Sequence, residues 1–135
     1  MVDVRVVIGD PESKKCYQKK ISDIEANSLV GMHVGEIFKG ELVGLAGYEL
    51  KITGGSDKDG FPMRSDMKGL SGKHPILACG GVGHRQSSCG ERRRKLVHSH
   101  TIDATIAQVN VRVEKTGKKP MAELFPVGAE KKPEA

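Results

Sequence analysis

Glycine sets the first constraint on this fold. There are 17 glycines in 135 residues, and twelve of them lie between Gly40 and Gly90. That usage is nearly twice the ordinary frequency of about 7%. Glycine visits backbone angles closed to other residues and loses the most freedom on ordering. The irregular backbone is therefore concentrated in the middle of the chain, and the regular elements are short.

Val2, Val4, Val6 and Ile8 alternate with Asp3, Arg5 and Val7, the period of two of a strand, and Gly9-Asp10-Pro11 ends it as a turn. Residues 15–21 form a second strand, whose charges place it at an edge or leave it one wet face. Ser22-Asp23 caps a short helix from 24 to about 29. Residues 36–43 and 48–53 flank Gly44-Leu45-Ala46-Gly47 as the arms of a hairpin. A loop is expected over 54–73, a buried strand over 75–79 and a second loop over 80–94. The last strands are read at 95–98 and 109–115, with Val109, Val111 and Val113 on one face. A short helix follows over 120–125, with proline at its start.

About six short strands, one or two short helices and long glycine-rich loops predict a mostly β domain, a small antiparallel barrel-like or sandwich arrangement. A chain of this length buries roughly two-thirds of its unfolded surface, enough for one modest core. A single barrel-like domain over 1–127 with a disordered tail at 128–135 is the expected organisation. The core is aliphatic, because the chain has no tryptophan and only 2 Tyr and 3 Phe. The same scarcity argues against reading single strands by stacking bases on aromatic side chains. Loops of fifteen to twenty residues are unusual in so small a domain and are usually functional.

Charge is segregated. The net charge is +5, but residues 1–50 are slightly acidic and the excess of cations falls on residues 51–102, which points to a polyanionic partner. The three cysteines, Cys16, Cys79 and Cys89, cannot all pair. No secretory pattern opens the sequence and no run approaches the roughly 20 apolar residues of a membrane helix, so a cytoplasmic protein with reduced thiols and no membrane contact is expected.

Arg92, Arg93, Arg94 and Lys95 follow Arg85 within ten residues, opposed only by Glu91. Guanidinium forks stay charged and bind phosphate in pairs of hydrogen bonds, so this run reads as a nucleic-acid backbone contact rather than a solvated loop. In the loop over 54–63, Asp57-Lys58-Asp59-Gly60 begins like a calcium loop. Phe61 and Pro62 stand where that loop needs an oxygen ligand and a glycine. The Gly-Lys-Ser/Thr ending of a phosphate loop is also absent. A structured turn is left: Gly54, Gly55 and Gly60 take angles closed to other residues, Phe61 and Pro62 pin the loop to the core, and Lys58 and Arg64 project outward. Cys79, His84 and Cys89, with His98 or His100, have a spacing that lacks the close cysteine pair of structural zinc sites. Cys79 is read as a buried thiol, and no metal or other cofactor is expected. Cys89 beside His84 has no orienting acid or oxyanion motif, so no catalytic residue is assigned and the chain is read as a non-enzyme without a small-molecule substrate.

Two motifs carry a resemblance. Gly54-Gly55-Ser56-Asp57-Lys58-Asp59-Gly60-Phe61-Pro62-Met63 and Gly90-Glu91-Arg92-Arg93-Arg94-Lys95, followed by Thr101-Ile102-Asp103-Ala104 and the strand through Lys115-Thr116-Gly117, resemble the archaeal and eukaryotic small-subunit ribosomal protein family usually called S-six-e, over about residues 1–118. The resemblance implies a barrel-like β domain of the small ribosomal subunit, a structural role in translation, and contacts with ribosomal RNA and neighbouring ribosomal proteins. The Gly-Phe-Pro-Met loop and the Arg-Arg-Arg-Lys run are the positions it places at or near RNA. Eukaryotic members continue into a long basic helix and a serine-rich phosphorylated tail. A chain ending at Ala135 resembles the short archaeal form, without that regulation, and residues 121–127 do not match the usual continuation. The competing reading is a free-standing nucleic-acid-binding barrel that acts as a regulator.

Overall fold

The computed structural model describes residues 3–68 and 71–125. Val2 of the first expected strand, the end of the expected domain at 126–127 and the expected tail at 128–135 lie outside the described residues. Those residues form β1 (Val4–Asp10), β2 (Lys15–Ile21), α1 (Asp23–Leu29), β3 (Ile37–Lys39), β4 (Glu49–Asp57), β5 (Lys73–Ala78), β6 (Arg93–His98), β7 (Ile106–Lys115) and α2 (Met121–Leu124). A tight helical turn over Gly40–Val43 separates β3 from β4.

The mostly β reading holds, but the sheet is neither wholly antiparallel nor closed. Five strands run in the order β2-β1-β7-β4-β3, and β5 and β6 form a separate two-stranded sheet. β1 and β7 pair in parallel, with Val6 beside Val109 and Ile8 beside Val111; the other strand pairs are antiparallel. Strands from opposite ends of the sequence thus lie side by side at the centre, while β2 and β3 are left as the two edges. Alternation shows that a segment is a strand but carries no information about its neighbour.

Parity decides what is buried. Val6, Ile8, Leu50, Ile52, Val109, Val111 and Val113 all point to one face, at most 4% exposed. They pack with Leu29 of α1, Val43 and Leu45, and Ile102 and Ile106. The core is aliphatic, as composition requires, and its aromatic members lie toward one end. Tyr48 donates its hydroxyl to the Lys119 carbonyl, and Tyr17 stacks on Phe125 at 5.3 Å. Met121 is 3% exposed, so α2 seals this end of the core. Burial of the Tyr48 phenol, with Asp10 and Glu12 nearby, raises its pKa.

Several boundaries differ from expectation. β1 continues through Gly9 and Asp10, paired with Cys16 and Lys15. The Asp10 carboxylate then organises the turn, accepting Glu12 N–H at 3.0 Å and Ser13 Oγ–H at 2.7 Å. The expected strand over 36–43 stops at Lys39, because Gly40 folds the chain against itself; a Cβ there would lie 2.5 Å from the Leu45 carbonyl oxygen. The expected loop over 54–73 begins late, since Gly54, Gly55, Ser56 and Asp57 are still strand, paired with β7. Helix α1 begins where the sequence places it, with the Ser22 N–H donating to Glu25 Oε2 at 3.2 Å.

Candidate nucleic-acid interface

The glycine loop is a clasp between the two sheets. Asp57, with its side chain fully buried, accepts the N–H groups of Asp59 (2.8 Å) and Phe61 (3.3 Å) on Oδ1. Its Oδ2 faces Lys73 Nζ at 3.4 Å. Lys73 also pairs with Asp59 and lies over the Phe61 ring, 5.2 Å from its centroid. The hydrogen bond to Asp59 raises the Lys73 pKa and lowers that of Asp59. Beyond this turn, Met63 N–H donates to Gly55 O at 3.0 Å, His98 N–H to Pro62 O at 2.9 Å, and Arg64 N–H to His98 O at 3.0 Å. Pro62 and Met63 thereby stitch the end of β4 to the end of β6.

Only one of the three loop glycines named from sequence uses an angle reserved for glycine. Gly60 has φ +87°, whereas Gly54 and Gly55 are extended. Gly55 is required for a different reason: a Cβ there would collide with the Gln108 carbonyl oxygen and come within 3.1 Å of Met63 Sδ. Gly54, one residue earlier and facing the other way, would meet nothing within 4 Å.

The basic run is divided by strand geometry. Arg93, Arg94 and Lys95 belong to β6, not to a loop, and successive strand residues face opposite sides. Arg94 lies opposite Leu77, while Arg93 lies opposite Ala78. Arg93 Nε binds Glu91 Oε1 at 2.6 Å. Glu91 also accepts the Ser87 hydroxyl at 2.6 Å and the Ser87 N–H at 2.8 Å. The Ser87 hydroxyl and N–H, followed by Arg93, hold the Glu91 pKa down to about 2. Glu91 is thus occupied within its own loop. Arg85, Arg92 and Arg94 are exposed, and among the described residues none of them has a carboxylate within ion-pair distance. Lys95 is half-buried and Lys58 is exposed. Arg64 is engaged by both oxygens of Asp66 at 2.7 Å; that bond raises the Arg64 pKa and lowers the Asp66 pKa.

The hairpin of β5 and β6 is anchored by a buried histidine. His98 is fully buried, with Nε2 3.2 Å from Asp103 Oδ2 and Nδ1 3.2 Å from the Ser99 carbonyl. Burial acts to raise the Asp103 pKa, but the Thr105 hydroxyl and N–H, together with His98, outweigh it and leave the pKa lowered. His100 stacks on His33 at 4.4 Å, and burial, then His33 and Lys68, lowers its pKa. Cys79 and Cys89 are exposed thiols, contrary to the buried thiol expected at Cys79, which lies just past the end of β5. His84 is buried with Nε2 unpartnered. Among the described residues no three His, Cys, Asp or Glu side chains are grouped to hold a metal ion, and no helix is long and apolar enough to cross a membrane.

Sequence reasoning missed the organising role of Asp57 and the tether at His98. Asp57 carried a signal, since Asp followed by Gly three residues later marks a turn held by a side-chain oxygen; His98 carried none.

The clasped hairpin thus presents arginines that no carboxylate balances among the described residues. Comparison with known proteins identifies the family. The family model for ribosomal protein S6e matches residues 4–126, so it includes α2, beyond the point near 118 where the motif resemblance ends. Small ribosomal subunit protein eS6 of Archaeoglobus fulgidus is 45% identical over 125 residues, covering 92% of this chain and 96% of the relative. The protein of the same name from Methanocella arvoryzae is 43% identical over 126 residues, 93% of this chain and 88% of its own. That from Methanocaldococcus jannaschii is 44% identical over 127 residues, 93% and 92%. The chain belongs to the ribosomal protein S6e family.

Proposed function

We propose that this chain is a structural, non-catalytic constituent of the small ribosomal subunit in the cytoplasm, and that it binds ribosomal RNA through the basic end of the β5–β6 hairpin. Membership in a family whose archaeal relatives are named small ribosomal subunit proteins supports the first part. One observation carries the second: Glu91, the acid within the basic run, is engaged by Ser87 and Arg93, which leaves Arg85, Arg92 and Arg94 without an ion pair among the described residues. Such cations bind phosphate oxygens and set position more than they read sequence. Lys95 continues this strand, Lys58 is a further exposed cation beside the Asp57 clasp, and Arg64 is free for phosphate only by exchanging Asp66. Neighbouring ribosomal proteins are the further expected partners.

A sucrose gradient separates this from the free-standing regulator. A subunit constituent sediments with small subunits in moderate salt, whereas a free regulator stays at the top of the gradient. Recovery of the protein only in the unbound fractions, with intact small subunits present, contradicts the assignment.

A further inference from the structure

Gly54 stands where β4 slips in register against β7, between Ile52 and Gly54. Its backbone is extended and its Cβ position opens on empty space. Glycine in a strand marks a bulge or a close approach by another molecule, and here the slip leaves Gly54 open to an approach from outside. The face onto which Gly54 opens is the uncovered side of the five-stranded sheet. There the register brings Arg5 beside Lys20 and Gln108, and Arg112 beside Gly9 and Lys51. Arg5, Lys20, Lys51 and Arg112 form no ion pair among the described residues. Glu49, the nearest acid on that face of β4, is held by Lys115 at 3.0 Å. Asp10, at the rim, is engaged by the Ser13 hydroxyl and Glu12 N–H. At the centre, Gly54 lies opposite Asn110, whose Oδ1 accepts from Gln108 Nε2 at 2.7 Å. A shallow open trough of about 630 Å³ runs beside them, lined by Gly9, Thr53, Gln108, Asn110 and Arg112.

We infer that this uncovered sheet face is a second RNA-binding surface, which seats a sugar–phosphate backbone in the trough beside Gly54. Four cations without an ion pair among the described residues outnumber the one unpaired acid of the sheet strands on that face, Glu114, and fit a polyanion; amide side chains hydrogen-bond to phosphate and ribose oxygens. The apolar centre expected of a protein–protein patch is missing; Val7 is half-buried between the polar rows. The missing Cβ at Gly54 lets a backbone lie flat against the sheet. The inference rests on the reading that the partner is RNA but uses residues separate from the hairpin.

The test uses the full chain and a transcript of small-subunit ribosomal RNA, with affinity measured over a range of salt. Each phosphate contact contributes about 0.7–0.9 to the steepness of log affinity against log salt. Arg5→Ala with Arg112→Ala is expected to flatten the slope by about 1.4–1.8. Gly54→Val, which suits a strand and so keeps the fold, is expected to weaken binding with the slope unchanged. Folded variants of both kinds that bind with wild-type affinity and slope overturn the inference. So does normal binding to naked RNA with poor incorporation into subunits, which assigns the face to a protein partner. A hairpin variant, Arg92→Ala with Arg94→Ala, run in parallel separates the two readings. Loss in that variant alone leaves the proposed function standing and removes this second surface.

Discussion

The five-stranded sheet and the β5–β6 hairpin are built on opposite principles. The sheet gathers the main apolar cluster, from Val6 through Met121, and its stability comes from burial. The hairpin contributes Ala78 and Val97 as buried hydrophobics, neither belonging to that cluster, and it exposes Leu77 at 68% and Val82 at 53%. A two-stranded hairpin alone is marginal in water. It is held instead by tethers: the Pro62 and Arg64 backbone bonds to His98, the His98–Asp103 contact and the Asp57–Lys73 clasp. The sheet is held by burial and the tethered region carries Arg85, Arg92 and Arg94, the division expected when a rigid scaffold presents a locally less stable element.

The largest effect that can break this comparison comes from the core. Ile52→Ala should cost about 2–5 kcal/mol of global stability, whereas Leu77→Ala should stay within about 0.5 kcal/mol; denaturant unfolding followed by circular dichroism measures both. Equal losses would mean that the hairpin belongs to the cooperative core. The next effect comes from the paired glycines. Gly55→Ala forces a shift against the Gln108 carbonyl and should cost about 1–3 kcal/mol, while Gly54→Ala should leave the unfolding midpoint unchanged or slightly raised. His98→Ala should speed hydrogen exchange in β5 and β6 and leave β1 and β7 at wild-type protection; uniform acceleration would make His98 an ordinary core residue. The smallest effect lies in acid. The Glu91 pKa is lowered from 4.5 to about 2, so its contribution to the loop is present above about pH 4.5 and lost as pH falls through about 2. Carboxyl chemical shifts should titrate near 2, and Ser87→Ala should move that midpoint upward.

The sheet was legible in the sequence where alternation is unbroken, as in β1 and β2. It was obscured where strands carry glycine or a bulge. Gly54-Gly55 reads as loop because both lack the side chain that reports a face, yet each serves a different face of β4. The start of β7 was missed because Ser56 pairs with Gln108 and Asp57 with Ile106, which leaves Ala107 as an extra residue and puts Ile106 and Val109 on one face at a spacing of three. The parallel pairing of β1 with β7 leaves no local mark, so an antiparallel barrel was a natural misreading. The cations were legible as residue types, but their division was not. Strand parity and the Glu91 contact separate Arg93 from Arg92 and Arg94, and neither appears in a run of four basic letters.

The salt dependence of binding to small-subunit ribosomal RNA tests the central claim most directly. Arg92→Ala with Arg94→Ala removes two uncompensated cations and should flatten the slope of log affinity against log salt by about 1.4–1.8. Arg93→Ala, which removes a cation already held by Glu91, should change the slope by much less than one such contact. Both variants should unfold at the wild-type midpoint, since exposed charges contribute little to stability. An unaltered slope in the folded double variant, or an equal loss per residue from Arg93→Ala, would contradict the account.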